Sequence, residues 1–130
     1  MIKEIYFKKK LLAIVLRSNF KPKKTIFVGS SKNTLQLGYI VKKKKDIIKK
    51  HRHKKISRKI IGTPEILIIK KGEAKVRIYF KSKEIDNVKL KKGDIISLID
   101  CEHSLSFQKD TILQEIKQGP YIANEKVIYD

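Results

Sequence analysis

The sequence has a single cysteine, no long apolar run and few acidic residues in its first half. Because Cys101 stands alone, no disulfide framework can form within the chain, and we expect a reducing compartment, the cytoplasm. The stretch Lys8 to Leu16 runs from basic to apolar, but its six apolar residues fall short of a signal-peptide core or a membrane span. We therefore predict a strand there and no membrane partner.

The sequence also lacks a sustained 3.6-residue apolar period, an internal repeat and a low-complexity linker. Polar and apolar residues alternate over 76–80, and turn-forming residues separate short apolar stretches at intervals of roughly 8–12 residues. For 130 residues, a single core is sufficient. The pattern predicts one all-β domain over residues 1–130, a sandwich or barrel, with a strand over 47–53 and a last strand over 125–129.

All three histidines lie where metal ligands could meet. His51 and His53 are two residues apart, so on a strand both imidazoles would point to one face. Glu65 opens an apolar strand, and a later hairpin could bring His103 beside it. Since three imidazoles and a carboxylate suit Fe, Mn, Ni, Zn or Cu, we predict that these four residues bind a divalent metal ion. The alternative is that they only hydrogen-bond one another inside a polar barrel.

These residues resemble the two motifs of the cupin superfamily. His51-x-His53, a spacer, and Glu65 followed seven residues later by Gly72 match the first motif, and the stretch from Gly93 to His103 matches the second. The spacer has eleven residues where the family usually has three or four, and 99–101 reads Ile-Asp-Cys in place of Pro-x-Gly. Further likeness to a small single-domain bacterial cupin subgroup lies in residues 35–38, 58–65 and 115–121.

This resemblance implies a jelly roll of two packed antiparallel sheets and a homodimer. Members of the subgroup often accompany surface-glycan or nucleotide-sugar genes, which implies a pocket for a small polar ligand, a carbohydrate or a nucleotide-sugar. Three functions stay open: an isomerase or epimerase of polysaccharide metabolism, an Fe(II)- and O2-dependent dioxygenase, and a non-catalytic module that only binds its ligand.

Other polar side chains could complete such a site by transferring a proton or by holding the substrate. The candidates for proton transfer are Asp110, Glu115 and Tyr121, and those for substrate binding are Arg58, Arg77, Tyr39 and Tyr79. Each of them could instead face solvent or pack in the core. Cys101 could be reactive, although a lone cysteine beside a strand is more often only tolerated.

Basic residues dominate the first half of the chain. The net charge is +19, and residues 1–55 contain eighteen Lys or Arg against two acids. Nine of these basic residues lie in 42–55, which reads either as a nucleic-acid patch or as an exposed hairpin leading into the metal-binding strand. We favour the hairpin, because a nucleic-acid tract has no need for paired histidines with matched partners later in the chain. Nucleic-acid binding is also disfavoured because no binding motif is present and few aromatic residues lie among the lysines. The Lys and Ile excess also fits the codon use of an AT-rich genome, so nucleic-acid binding is the least favoured function.

Overall fold

A computed structural model describes residues 1–129, and these residues form an all-β structure without a helix. Stretches rich in Ile, Leu and Val form the strands, because these side chains pack well on a pleated surface. The predicted all-β class is confirmed. The ten strands are β1 (Ile2–Phe7), β2 (Lys10–Leu16), β3 (Ile26–Val28), β4 (Leu37–Tyr39), β5 (Glu65–Lys71), β6 (Glu73–Phe80), β7 (Lys83–Lys91), β8 (Ile95–Leu98), β9 (Glu102–Ser106) and β10 (Ile112–Lys117).

The strands form three antiparallel sheets. The largest has the order β1-β2-β8-β5-β10, a second has the order β7-β6-β9, and β3 pairs with β4 in a short hairpin. One main apolar cluster takes its side chains from the two larger sheets, among them Leu67 and Ile69 of β5 and Val76 and Ile78 of β6. The arrangement is consistent with a β-sandwich, in which two sheets enclose a common core.

Strand β2 is apolar at successive positions because both of its faces are covered. Ala13 and Val15 belong to the main core, whereas Ile14 and Leu16 pack with Val28 in a second cluster beneath the β3–β4 hairpin. Successive side chains of a strand point to opposite faces, so cover on both sides requires apolar residues throughout. The strand expected here is confirmed. Within residues 1–129 no helix has the length and apolar character needed to cross a membrane.

Two predicted strands are absent. Residues 40–64 contain neither strand nor helix, and the side chains of 42–62 are exposed. The predicted strand over 47–53 is therefore wrong, and so is the hairpin interpretation of 42–55. The physical reason is that this stretch offers too few apolar residues for a buried strand face. Residues 125–129 likewise form no strand and are exposed, so the expected last strand is also wrong.

Two glycines make the tight turns that begin and end the β6–β7 hairpin region. Gly72 and Gly93 have φ values of +82° and +89°, a conformation that residues with a Cβ atom rarely adopt. A Cβ at Gly72 would meet the backbone of Asp110, and one at Gly93 would lie 2.8 Å from the Cβ of Ser18. Both glycines are therefore required by close backbone approach as well as by turn geometry.

Beside the second turn, the buried Asp94 carboxylate joins three parts of the chain. Its Oδ1 accepts a hydrogen bond from the Ser18 backbone N–H at 2.8 Å, and its Oδ2 accepts one from the Lys91 N–H at 2.8 Å. The Arg17 guanidinium also donates to Oδ2 at 3.0 Å. The Asp94 carbonyl in turn accepts from the Ile69 N–H at 3.1 Å. Asp94 thus connects the ends of β2 and β7 to β5 at the start of β8.

We expect Asp94→Ala to lower the free energy of unfolding by about 3 kcal/mol, because it removes the acceptor of two backbone N–H groups and the partner of Arg17. Urea unfolding followed by circular dichroism measures this loss. The matched control is Asp100→Ala, which removes an exposed ion pair with Lys10 of 2.6 Å and should cost less than about 1 kcal/mol. Equal losses in the two variants would contradict the role assigned to Asp94.

Candidate functional site

Glu65 and His103 approach each other from the two packed sheets. Glu65 begins β5 two residues before the core residue Leu67, and His103 lies on β9 two residues before Leu105, which packs against the same core. Because strand side chains alternate, both groups face the space between the sheets. The His103 Nε2 atom lies 3.8 Å from Glu65 Oε1, and the two side chains are 25% and 20% exposed. They form a polar, partly buried pair at the end of an apolar core.

His103 also lines a cavity of about 370 Å³. Residues 32–35 of the β3–β4 connection form one wall, residues 61–64 before β5 form another, and residues 98–101 between β8 and β9 form a third. The Nδ1 atom of His103 is buried and has no hydrogen-bond partner among the described residues. A buried ring nitrogen without a partner is costly, so a ligand that supplies one would be stabilised here.

The C-terminal segment is tied to the edge of this cavity. The Gln118 N–H donates to the Pro64 carbonyl at 3.1 Å, and the Thr63 hydroxyl donates to Glu125 at 2.9 Å. Lys117 lies 3.7 Å from the same Glu125 carboxylate. Residues 118–125 therefore hold the stretch before β5 in place, although they supply no strand.

Cys101 lines the cavity as a neutral thiol. Burial raises the pKa of Cys101 to about 12, and the nearby carboxylates of Asp100, Glu102 and Glu65 contribute to the same shift. A thiolate is needed for nucleophilic attack, and this environment disfavours it. The structure therefore gives Cys101 a lining role rather than a reactive one.

The other two histidines lie elsewhere, on the exposed stretch between β4 and β5. The rings of His51 and His53 are 5.4 Å apart between centroids, and the two side chains contact each other edge to face. His51 Nδ1 is 2.8 Å from the Lys49 carbonyl, which can only accept, so this contact assigns the ring proton to Nδ1. The pair is close, as expected, but without the predicted strand.

The four predicted metal ligands are not brought together. Among residues 1–129, no group of three or more His, Cys, Asp or Glu side chains is arranged to bind a metal ion. Glu65 contacts His103, and His51 contacts His53. The two pairs stay apart because the eleven residues between His53 and Glu65 form no strand that would bring the histidine pair to β5. The residues in this arrangement do not fit a four-ligand centre, and metal binding stays a prediction.

None of the three candidates for proton transfer lines the cavity. Asp110 is exposed in the turn before β10. Glu115 is exposed on β10 with Lys117 at 3.9 Å, and Tyr121 is 80% exposed. The structure gives all three solvent-facing positions, which is the alternative interpretation for Asp110 and Glu115, whereas the alternative for Tyr121 is packing in the core or at its rim.

The four candidates for substrate binding also lie outside the cavity lining. Arg58 is exposed on the stretch before β5, and Arg77 of β6 donates to Glu84 at 2.9 Å, a contact that raises the pKa of Arg77. Tyr79 lies 3.3 Å from the Ser104 hydroxyl, and Tyr39 packs edge-on against Phe20. Arg77, Tyr79 and Tyr39 thus contact other side chains of the fold, whereas Arg58 faces solvent.

Two polar cavity residues that the sequence did not single out, Asn33 and Thr34, lie on the β3–β4 connection. Thr63 and its neighbours 61–64 belong instead to the stretch between His53 and Glu65, which was expected to border the pocket because it lies between two predicted ligands. The β3–β4 connection carries no motif that would relate it to His103.

We expect Cys101 to react with iodoacetamide at pH 8 about a hundredfold or more slowly in the folded protein than in urea, because reaction needs the thiolate. Mass spectrometry of the labelled chain measures both rates. Folding raises the pKa of Cys101 from 9.0 to about 12, because the folded chain favours the neutral thiol. The contribution of this thiol to the free energy of unfolding is therefore complete below pH 9 and is lost as the pH rises towards 12. Equal labelling rates in the two states would refute the buried neutral thiol.

Comparison with known proteins found no matching family model, no similar curated protein and no similar solved structure. The likeness to cupins therefore rests on the motif residues in the sequence. The architecture that can be stated on the structure alone is a set of antiparallel sheets consistent with a β-sandwich.

Proposed function

We propose that this chain is a cupin-type jelly roll whose cavity binds a small polar ligand, a carbohydrate or nucleotide-sugar, beside Glu65 and His103. The observation that carries the proposal is the buried, unpartnered Nδ1 of a histidine that also lines the cavity and faces a carboxylate. Polar groups converging at one end of an apolar core are typical of small-molecule sites.

The separation of the pair leaves room for a ligand group. At 3.8 Å, Glu65 and His103 are too far apart for a direct hydrogen bond. A hydroxyl oxygen at hydrogen-bond distance from Glu65 Oε1 and His103 Nε2 could donate to the carboxylate and accept from the imidazole. A second polar group of the same ligand would have to pair with the unpartnered Nδ1. Sugars present such hydroxyls at many positions, which is why we favour this ligand class.

The same pair supports an isomerase or epimerase reaction. The Glu65 carboxylate could remove a proton from the carbon next to a substrate carbonyl, and the His103 N–H could stabilise the oxyanion that forms. Asp110, Glu115 and Tyr121 take no part in this proposal, because each is exposed and none lines the cavity. Glu65 does not line the cavity either, but it is partly buried and lies 3.8 Å from the lining residue His103. The non-catalytic binding module uses the same cavity and differs only in the absence of proton transfer.

A homodimer and a cytoplasmic location stay predictions. In support of the homodimer, β10 lies at an open edge of the large sheet and exposes Ile112 and Ile116. Open strand edges with apolar side chains favour pairing with another chain.

For the ligand site, we expect His103→Ala and Glu65→Gln each to weaken binding of the best ligand about tenfold or more, since each removes a hydrogen bond to a partly buried group. Isothermal titration calorimetry against nucleotide-sugars and free sugars measures the affinity. Ser106→Ala is the matched control, because Ser106 is exposed on the same strand. Unchanged affinity in both site variants would place the ligand elsewhere.

Exchange in D2O separates the enzyme from the binding module. Incorporation of deuterium next to the carbonyl of a bound keto sugar, followed by NMR, indicates proton transfer. Binding without exchange supports the non-catalytic module.

The dioxygenase alternative needs bound iron, and we derive no step from it because the predicted ligands are not assembled. In elemental analysis of untagged protein, we expect His51→Ala to leave the metal content unchanged, since His51 contacts neither Glu65 nor His103 in this arrangement. The four-ligand hypothesis predicts instead that one metal ion per chain is lost in both His51→Ala and His103→Ala. Loss in both variants would show that the histidine pair reaches the cavity in solution.

A further inference from the structure

Residues 42–59, here called the basic segment, form the most strongly charged surface of the chain. They contain eleven Lys or Arg and one acid, Asp46, and thus carry a net charge of +10. Every side chain of the segment is exposed, and the backbone forms neither strand nor helix. The charged groups are therefore accessible along the whole segment.

These positive charges have no partners within the described part of the chain. The ion pairs formed by residues 1–129 involve only Lys, Arg or His side chains outside the segment. The carboxylate of Asp46 accepts a hydrogen bond from the Lys43 backbone N–H within the segment. Mutual repulsion of so many unpaired charges is unfavourable, and a polyanion would relieve it.

The structure removes one of the arguments against a nucleic-acid partner, although the segment contains no known nucleic-acid-binding motif. The hairpin interpretation of 42–55 depends on His51 and His53 joining Glu65 and His103 in a metal site. The hairpin does not form, and the two histidines contact each other beside Arg52 in the middle of the basic segment. His51 and His53 are therefore available to contact the same ligand as the lysines of the segment.

We propose that the basic segment binds the phosphodiester backbone of a nucleic-acid duplex. Lysine ammonium groups neutralise phosphates, and the release of condensed counterions supplies the free energy of binding. Arg52, which stands between His51 and His53 in the sequence, suits a narrow minor groove of DNA, whose negative potential attracts Arg, Lys and His. This site is separate from the proposed ligand cavity.

Composition favours a duplex over a single strand. The segment contains no Phe, Tyr or Trp, and stacking of bases on aromatic side chains supplies much of the affinity for single strands. Phosphate contacts by lysine need no stacking platform. We therefore expect single-stranded DNA or RNA of the same length to bind more weakly than a duplex.

The distribution of isoleucines argues against a lipid surface. A segment that lies in a membrane interface gathers its apolar side chains on one face. Ile47, Ile48 and Ile56 lie on a backbone that forms neither strand nor helix, so no regular period gathers them on one face. The basic residues are likewise spread along the whole segment, which suits contacts with successive phosphates.

The test compares two variants of the full chain that lose the same charge. The segment variant replaces Lys49, Lys50, Lys54 and Lys55 with Gln, and the control variant replaces four lysines outside the segment. These are Lys9, Lys21, Lys23 and Lys24, all exposed and free of ion pairs among residues 1–129. Fluorescence anisotropy with 20-base-pair DNA and RNA duplexes, each from 50 to 300 mM KCl, gives the affinity and its salt dependence.

We expect the segment variant to bind the duplex about tenfold or more weakly at 100 mM salt and to reduce the slope of log K against log salt by about 3. The control variant should change the slope by less than about 1. Equal losses in the two variants would overturn the proposal, because binding would then follow net charge alone. So would an unchanged segment variant, or vesicles of phosphatidylserine that bind the segment more tightly than the duplex does.

Discussion

A buried carboxylate at the start of β8 is the contact on which the arrangement of strands depends. Asp94 is 4% exposed and accepts hydrogen bonds from the backbone after β2 and at the end of β7, while its own backbone bonds to Ile69 of β5. The Arg17 guanidinium supplies the compensating charge. Burying a carboxylate without partners is costly, so Asp94 is stable at this position only when β2, β5 and β7 bring their hydrogen-bond partners to it. Asp94 therefore favours one register of these strands.

That register determines the geometry of the candidate site. Once β5 pairs with β8 and β9 pairs with β6, Glu65 lies opposite Leu98, and His103 lies opposite Ile78. Both side chains then follow the inward positions of their strands. A shift of one residue in either strand would turn its polar group to the outer face and put the neighbouring residue inside. The polar pair is therefore a product of the core packing.

The most predictable elements were β2 and β6, neither of which contains a predicted metal ligand. The apolar run of β2 and the alternation over β6 follow from side-chain period, which is a local property of the chain. The convergence of Glu65 and His103 was also expected, with Glu65 on a strand and His103 on a later hairpin, and the structure places His103 on β9. His51 and His53 were placed wrongly on a strand because a two-residue spacing looks the same on a strand and on an exposed irregular segment.

The sequence by itself determined the all-β class, the glycine turns at Gly72 and Gly93 and the excess of positive charge, because these depend on residue type and local period. Only the tertiary structure decided which polar groups share a cavity and which charges lack partners. Residues 32–35, 61–64 and 98–101 are far apart along the chain, and their meeting around His103 depends on the packing of sheets rather than on any local pattern. The same holds for the basic segment, whose exposure results from its exclusion from both sheets.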